Sequence, residues 1–229
     1  MANRSSLLNT SIRTGDLRVL IAALESDGTE YVEIAEGANR IPVPWLCCFT
    51  QADLLPCTVP YTTLAGKESA VDLLIPCTTA ALAVKNLAES LSLFERVVGD
   101  KTIAFGYWQD AVGKLQNLPL PYLTMDPVEV LFLNDPAAEA EVLEKALGRT
   151  DDAVPFLRRL SSFDENHMPY TLEEFISADA TMDHQARIDS SAALFGSFSE
   201  PKYWLWSRRN PPQAPPERKV PTKPWWKLW

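Results

Sequence analysis

Residues 70–100, AVDLLIPCTTAALAVKNLAESLSLFERVVGD, change their hydrophobic period once. Ala70 to Ile75 is an apolar run of strand length that stops at Pro76. From Thr79 to Val98 the period is helical: Ala80, Val84, Leu87, Leu91, Phe94 and Val98 follow the i, i+4, i+7 pattern, and Lys85, Glu89, Ser92 and Arg96 lie off that stripe. Gly99-Asp100 ends the helix, because glycine takes the left-handed C-cap conformation without a Cβ clash. An unbroken stripe of this length reads as a core-facing surface.

Upstream of this stretch the signals are those of strands. Residues 1–12 read as an opening strand, and Leu17 to Leu24 and Tyr31 to Ile34 as two more, the last alternating between Asp27-Gly28 and Glu36-Gly37. Ile41 to Phe49 is apolar through Pro42 and Pro44, which argues against a central strand and leaves a buried helical turn or strand over Trp45–Phe49.

Downstream the signals are mostly helical. A helix is expected over Phe105 to Leu118, stopped by Pro119 and Pro121, followed by an extended link from Tyr122 to Met125. Asp126-Pro127 and Asp135-Pro136 are both helix starts, with aspartate as N-cap and proline in the first helical position, opening Val128–Leu133 and Ala137–Leu147. Gly148 closes the second, and Asp151 and Asp152 are placed to cap a further helix through Leu160. Thr171-Leu172-Glu173-Glu174 is a capping box flanked by a Tyr170/Phe175 staple. Ala192–Phe198 and Lys202–Trp206 look extended. Strand and helix runs are segregated, which implies an α+β fold with a mixed or antiparallel sheet rather than a doubly wound one.

The last thirty residues break from this composition. The 229 residues carry a formal charge of −9, but residues 1–199 carry −14 and residues 200–229 carry +5. Five of the seven tryptophans, Trp204, Trp206, Trp225, Trp226 and Trp229, lie in this segment, around a stiff Pro-rich stretch at 210–216. The chain therefore divides into an acidic globular body, 1–199, and a basic, extended Pro/Trp-rich C-terminal arm, 200–229. The arm can fold back onto the acidic body, bind a partner through its tryptophans, or touch a lipid interface.

An acidic body repels nucleic acid and anionic membrane and favours a basic protein partner. No segment nears the roughly 20 apolar residues of a membrane span. Leu17–Leu24, interrupted by Arg18, reads as core rather than as a secretory leader, so a cytoplasmic location is expected. Cys47, Cys48, Cys57 and Cys77 lack metal-site spacing and read as reduced, buried thiols, with a Cys57–Cys77 disulfide as the alternative. His167 and His184 lack a nucleophile elbow or a ligand motif, and Asp179-Asp183-His184 is a weak metal cluster. Nucleotide-binding glycine loops are absent from the sequence. The expectation is a non-enzymatic protein with no cofactor, no metal and no catalytic residue, and homo-oligomerisation stays open.

The opening Met1-Ala2-Asn3-Arg4-Ser5 resembles the start of a family of bacterial cytoplasmic proteins, although Ser6 stands where that family has an aromatic residue. Ile41-Pro42-Val43-Pro44-Trp45-Leu46-Cys47-Cys48-Phe49 with Gln51-Ala52-Asp53-Leu54, and Tyr122-Leu123-Thr124-Met125-Asp126-Pro127-Val128-Glu129-Val130, are similar to segments of the same family. Its members look like immunity proteins of polymorphic toxin systems, including type VI secretion. The resemblance implies a protein that neutralises a cognate toxin effector by occluding its active site. An effector adaptor or chaperone is the alternative, and a hydrolase with an unrecognised site the second. The five arm tryptophans are the expected partner-binding residues.

Overall fold

A computed structural model describes residues 3–26, 31–63, 65–99, 101–161 and 202–204. Along the chain run β1 (Arg4–Thr10), α1 (Leu17–Ser26), β2 (Tyr31–Ala38), α2 (Val43–Leu46), β3 (Leu54–Thr62), β4 (Glu68–Thr79), α3 (Ala80–Ala88), α4 (Leu91–Val98), α5 (Lys101–Leu115), β5 (Tyr122–Asp126), α6 (Val128–Leu131), α7 (Pro136–Ala146), α8 (Val154–Leu160) and β6 (Lys202–Trp204). Single 3-10 turns form at Gln51–Asp53 and Asp151–Ala153. The sheet order is β3-β4-β5-β1-β2-β6, antiparallel at every pairing. The α+β class and the antiparallel sheet agree with the sequence reading.

Directly paired residues share a sheet face. Leu7 sits opposite Met125 and Ala35, and Leu123 opposite Asn9 and Thr78. Leu7, Leu123 and Met125 join Trp45, Leu87, Phe94, Leu143 and Leu157 from the helices in one buried core. Each such side chain contributes about 1.5–3 kcal/mol by leaving water. Leu8, Thr124 and Cys77 share the opposite face. Next to them Gly15 lies so close to Ile75 that an added Cβ would meet its Cβ and carbonyl oxygen at 2.9 Å.

Five sequence expectations need correction. Leu17–Leu24 is helix α1, not a strand: Asp16 Oδ1 accepts from the Arg18 amide at 2.9 Å and the Asp16 carbonyl from Val19 and Leu20, so a local cap starts a helix in an apolar run that has no alternation. The single helix over Thr79–Val98 is two. Ser90 Oγ takes the Leu87 carbonyl at 2.7 Å and Trp108 Nε1 takes it at 2.8 Å, while Arg149 Nη2 takes the Asn86 carbonyl at 2.6 Å. These bonds satisfy the last carbonyls of α3 from outside the helix and end it there. β4 does not stop at Pro76 but runs through it to Thr79, and the link Tyr122–Met125 is β5, a central strand. Asp151 and Asp152 form a 3-10 turn ahead of α8 and do not cap it.

Other signals hold. Asp135 Oδ1 accepts from the Ala137 amide at 3.0 Å. The Asp126-Pro127 start holds only in part: Asp126 Oδ1 accepts from the Val128 amide at 3.1 Å, but Pro127 and not Asp126 is the N-cap, and the helix ends at Leu131 rather than Leu133. Gly99 ends α4 with φ 83°, and Arg158 donates to the Val97 and Arg96 carbonyls at 3.1 and 3.0 Å. Within the apolar run Ile41–Phe49 a buried helical turn forms, α2, but over Val43–Leu46 rather than Trp45–Phe49. The capping box at Thr171–Glu174, the run Ala192–Phe198, both histidines and Asp179–His184 lie outside the described residues.

Candidate partner-binding surface

Carboxylates crowd the segment after β5. Between Asp126 and Asp152 the sequence holds eight Asp and Glu against two cations, Lys145 and Arg149. The amphipathicity of α7 decides which of them face solvent. Val142, Leu143 and Ala146 turn into the core, so Glu141 and Glu144 turn out. Asp135 at the start of α7 and Asp151 and Asp152 in the turn before α8 are exposed as well. Glu141 meets Lys145 at 3.8 Å and Asp151 meets Arg96 at 3.0 Å, both in open solvent, where an ion pair contributes about 0–1 kcal/mol. Glu139 is the exception. Its side chain is 6% exposed, bonded to Arg159 Nη2 of α8 and to Asn134 Nδ2 at 3.0 Å, and it locks α7 to α8. The acidic face therefore sits on a helix tied to α8 by a pair of which Glu139 is buried and Arg159 exposed.

A second group of charges lies at the end of the sheet. Asp126, half-buried, stands opposite Ser6. Burial pushes its carboxyl up to about 6, the Val128 amide bond opposes this, and the negative charges of Glu129 and Asp16 add to it. Asp16 is drawn the other way, because Arg18 binds both its oxygens at 2.9 and 2.6 Å and holds its pKa below the usual value. Arg18 Nη2 also bonds the Thr58 carbonyl of β3. Glu129 Oε2 accepts from the Arg4 amide at 2.8 Å, and Arg4 Nε reaches Glu36 at 3.2 Å. Asp126, with its carboxyl raised to about 6, thus lies near two further carboxylates, Asp16 and Glu129, with Arg18 bonded to Asp16 and the Arg4 amide to Glu129.

The thiols do not form a reactive centre. All four cysteines are free and buried, so the Cys57–Cys77 disulfide is not formed. Burial pushes Cys47 and Cys57 up to about 11 each, which leaves little thiolate at physiological pH. Among the described residues no group of three or more His, Cys, Asp and Glu side chains is placed to hold a metal ion, and no helix is long and apolar enough to cross a membrane.

Of the tryptophans expected to bind a partner, Trp204 falls on β6, in register with Tyr31 of β2. The first described residues of the arm thus extend the sheet. Trp206, Trp225, Trp226 and Trp229 lie outside the described residues. The acidic face on α7 was not singled out from sequence; its signal was the ratio of carboxylates to cations between residues 126 and 152. In the sequence Asp126 carries only the signal of a helix cap. Comparison of the chain with protein-family models, with curated proteins and with solved structures finds no match.

Proposed function

We propose that the chain is an immunity-type protein that binds a cognate bacterial toxin effector and neutralises it by occluding its active site. The exposed acidic face of α7 and of the turn before α8, held on a helix locked by Glu139 and Arg159, is the observation that supports this reading. A rigid negative face accelerates encounter with a basic one and rejects acidic competitors. In this reading the protein acts in the cytoplasm, where its own cell's toxin would otherwise act.

The test is coexpression with the toxin-like product of the adjacent gene. Rescue of growth, a complex on gel filtration, and an association rate that falls steeply with salt are the expected results. Rescue should weaken when Glu141, Glu144 and Asp152 are changed together to lysine. If the wild-type chain gives neither rescue nor a complex, the reading is overturned.

A further inference from the structure

β3 and β4 form a long ribbon, paired from Leu54↔Pro76 to Thr62↔Glu68, but β5 reaches β4 only at Cys77, Thr78 and Thr79. Most of the ribbon therefore overhangs the sheet. Its two edges can be told apart. In an antiparallel strand the N–H and C=O of one residue point to the same edge, and successive residues alternate. Pro56 and Pro60 have no N–H, and the Thr58 carbonyl accepts from Arg18 on α1, outside the ribbon. Residues 56, 58 and 60 thus face away from β4, and Leu55, Cys57, Val59 and Tyr61 bond to it. Their partners Ile75, Leu73, Val71 and Ser69 face β3.

By the same alternation Ala70, Asp72, Leu74 and Pro76 face the other edge of β4. Pro76 agrees, because its carbonyl accepts from Thr124 Oγ1 of β5 at 2.9 Å. Ala70, Asp72 and Leu74 then direct their N–H and C=O groups to an edge on which no strand of the described residues pairs with them. All three are exposed, Leu74 at 38%. The outer edge of β3 is closed by two prolines and an arginine. The β4 edge from Glu68 to Ile75 contains neither a proline nor a cation. An unpaired edge without such devices is a template for a further strand.

We infer that the β4 edge from Glu68 to Leu74 is a strand-accepting surface that takes an extended, basic segment of the partner protein. The inference rests on the partner-binding reading above and adds a second contact surface to the α7 face. Charge selects this occupant. Glu68 and Asp72 are exposed along the edge, and continuing the β5 register past Met125 brings Asp126 level with Ile75 at its inner end. Asp72 accepts from Thr58 Oγ1 at 2.7 Å, which holds its carboxylate on the exposed face of the ribbon. An added antiparallel strand with lysine or arginine opposite Asp72 pairs opposite charges, and an apolar residue opposite Leu74 covers it. A second copy fits less well, because twofold pairing centred on Asp72 sets it against itself.

The probe is a capped decapeptide alternating valine and lysine, with the valine–glutamate peptide as its counterpart, added to the full chain. The expected result is at least tenfold slower amide exchange at Ala70, Asp72 and Leu74 with the basic peptide and none with the acidic one. Ala70→Pro with Leu74→Pro deletes two edge donors without touching the β3 ladder, and should weaken peptide binding at least tenfold. Asp72→Lys, at an exposed position that keeps the fold, should invert the preference between the peptides and decides the matter if the proline variant unfolds. Equal protection by both peptides overturns the inference. So does protection already present in the free chain, which marks a second copy if dilution abolishes it and a segment of the same chain if it does not. In the toxin rescue assay, full rescue by Asp72→Lys and by a folded proline variant sinks the edge and leaves neutralisation standing. Failure of the wild-type chain to rescue sinks neutralisation, and the peptide result still decides the edge.

Discussion

Thr124 Oγ1 on β5 donates to the Pro76 carbonyl on β4 at 2.9 Å. The bond sits where β4 leaves the overhanging ribbon and enters the sheet. Proline at 76 brings no N–H to this edge, and the Thr124 side chain takes up the carbonyl that remains. Thr124 is 2% exposed, so water cannot replace it.

Thr124→Val keeps the shape and removes the donor. A buried carbonyl left without a partner costs about 1–3 kcal/mol. Urea unfolding should show a loss of that size with an unchanged m-value. A loss under a few tenths of a kcal/mol would mean that the carbonyl finds another partner.

Asp126 links stability to pH. Its folded-state pKa of about 6 lies above the ordinary aspartate value. A raised folded pKa gives stability that is fully present below the unfolded pKa and is lost as pH rises through the folded one. Asp126→Asn cannot ionise and still accepts from the Val128 amide. The variant should gain on the wild type between pH 4 and pH 7.5, by on the order of 2 kcal/mol. Urea melts at the two pH values check this, and a pH-independent difference between the proteins refutes it.

Pro56 and Pro60 keep the outer edge of β3 from pairing with other chains. Changing both to threonine restores two outward N–H groups on an exposed strand. The variant should retain its circular dichroism and show more concentration-dependent self-association by light scattering than the wild type. Unchanged scattering would assign the protection to Arg18 alone.

The thiols should be silent in the folded state. Burial raises Cys47 and Cys57 to about 11, and Cys48 and Cys77 are shifted upward by the same cause. An aromatic disulfide reagent at pH 8 should titrate all four cysteines in guanidinium, and in buffer only at the rate of unfolding. A fast phase in the native protein would reveal an accessible thiol.

Local signals in the chain were legible because their physics is local. The Asp135-Pro136 start, the Gly99 stop and the apolar stripe of α3 and α4 each depend on bonds within one or two turns, so their residues announce them. Strands were legible where side chains alternate, as in Tyr31–Ile34, or where an apolar run has strand length, as in Ala70–Ile75, and the second signal also misplaced α1. From sequence no strand is expected over residues 54–62; Pro56 and Pro60 interrupt the run there, and in the ribbon they mark the edge that needs no donors. The break between α3 and α4 was invisible because Trp108 and Arg149, 21 and 63 positions from the carbonyls they take, complete it.

From its sequence alone the protein is an α+β chain with an acidic body, a cationic tryptophan-rich end, and helix boundaries set by aspartate, proline and glycine. Tertiary structure decided which strand lies at the centre, which edge is blocked, and which carboxylates face water. Those outcomes depend on groups far apart in sequence, Arg18 with Thr58, Thr124 with Pro76, Glu139 with Arg159, whose bonds form only after the sheet has brought them together. Burial is likewise a property of the assembled layers. For that reason Asp126 looks like an ordinary helix cap in the sequence and becomes a group that titrates near neutrality only in the fold.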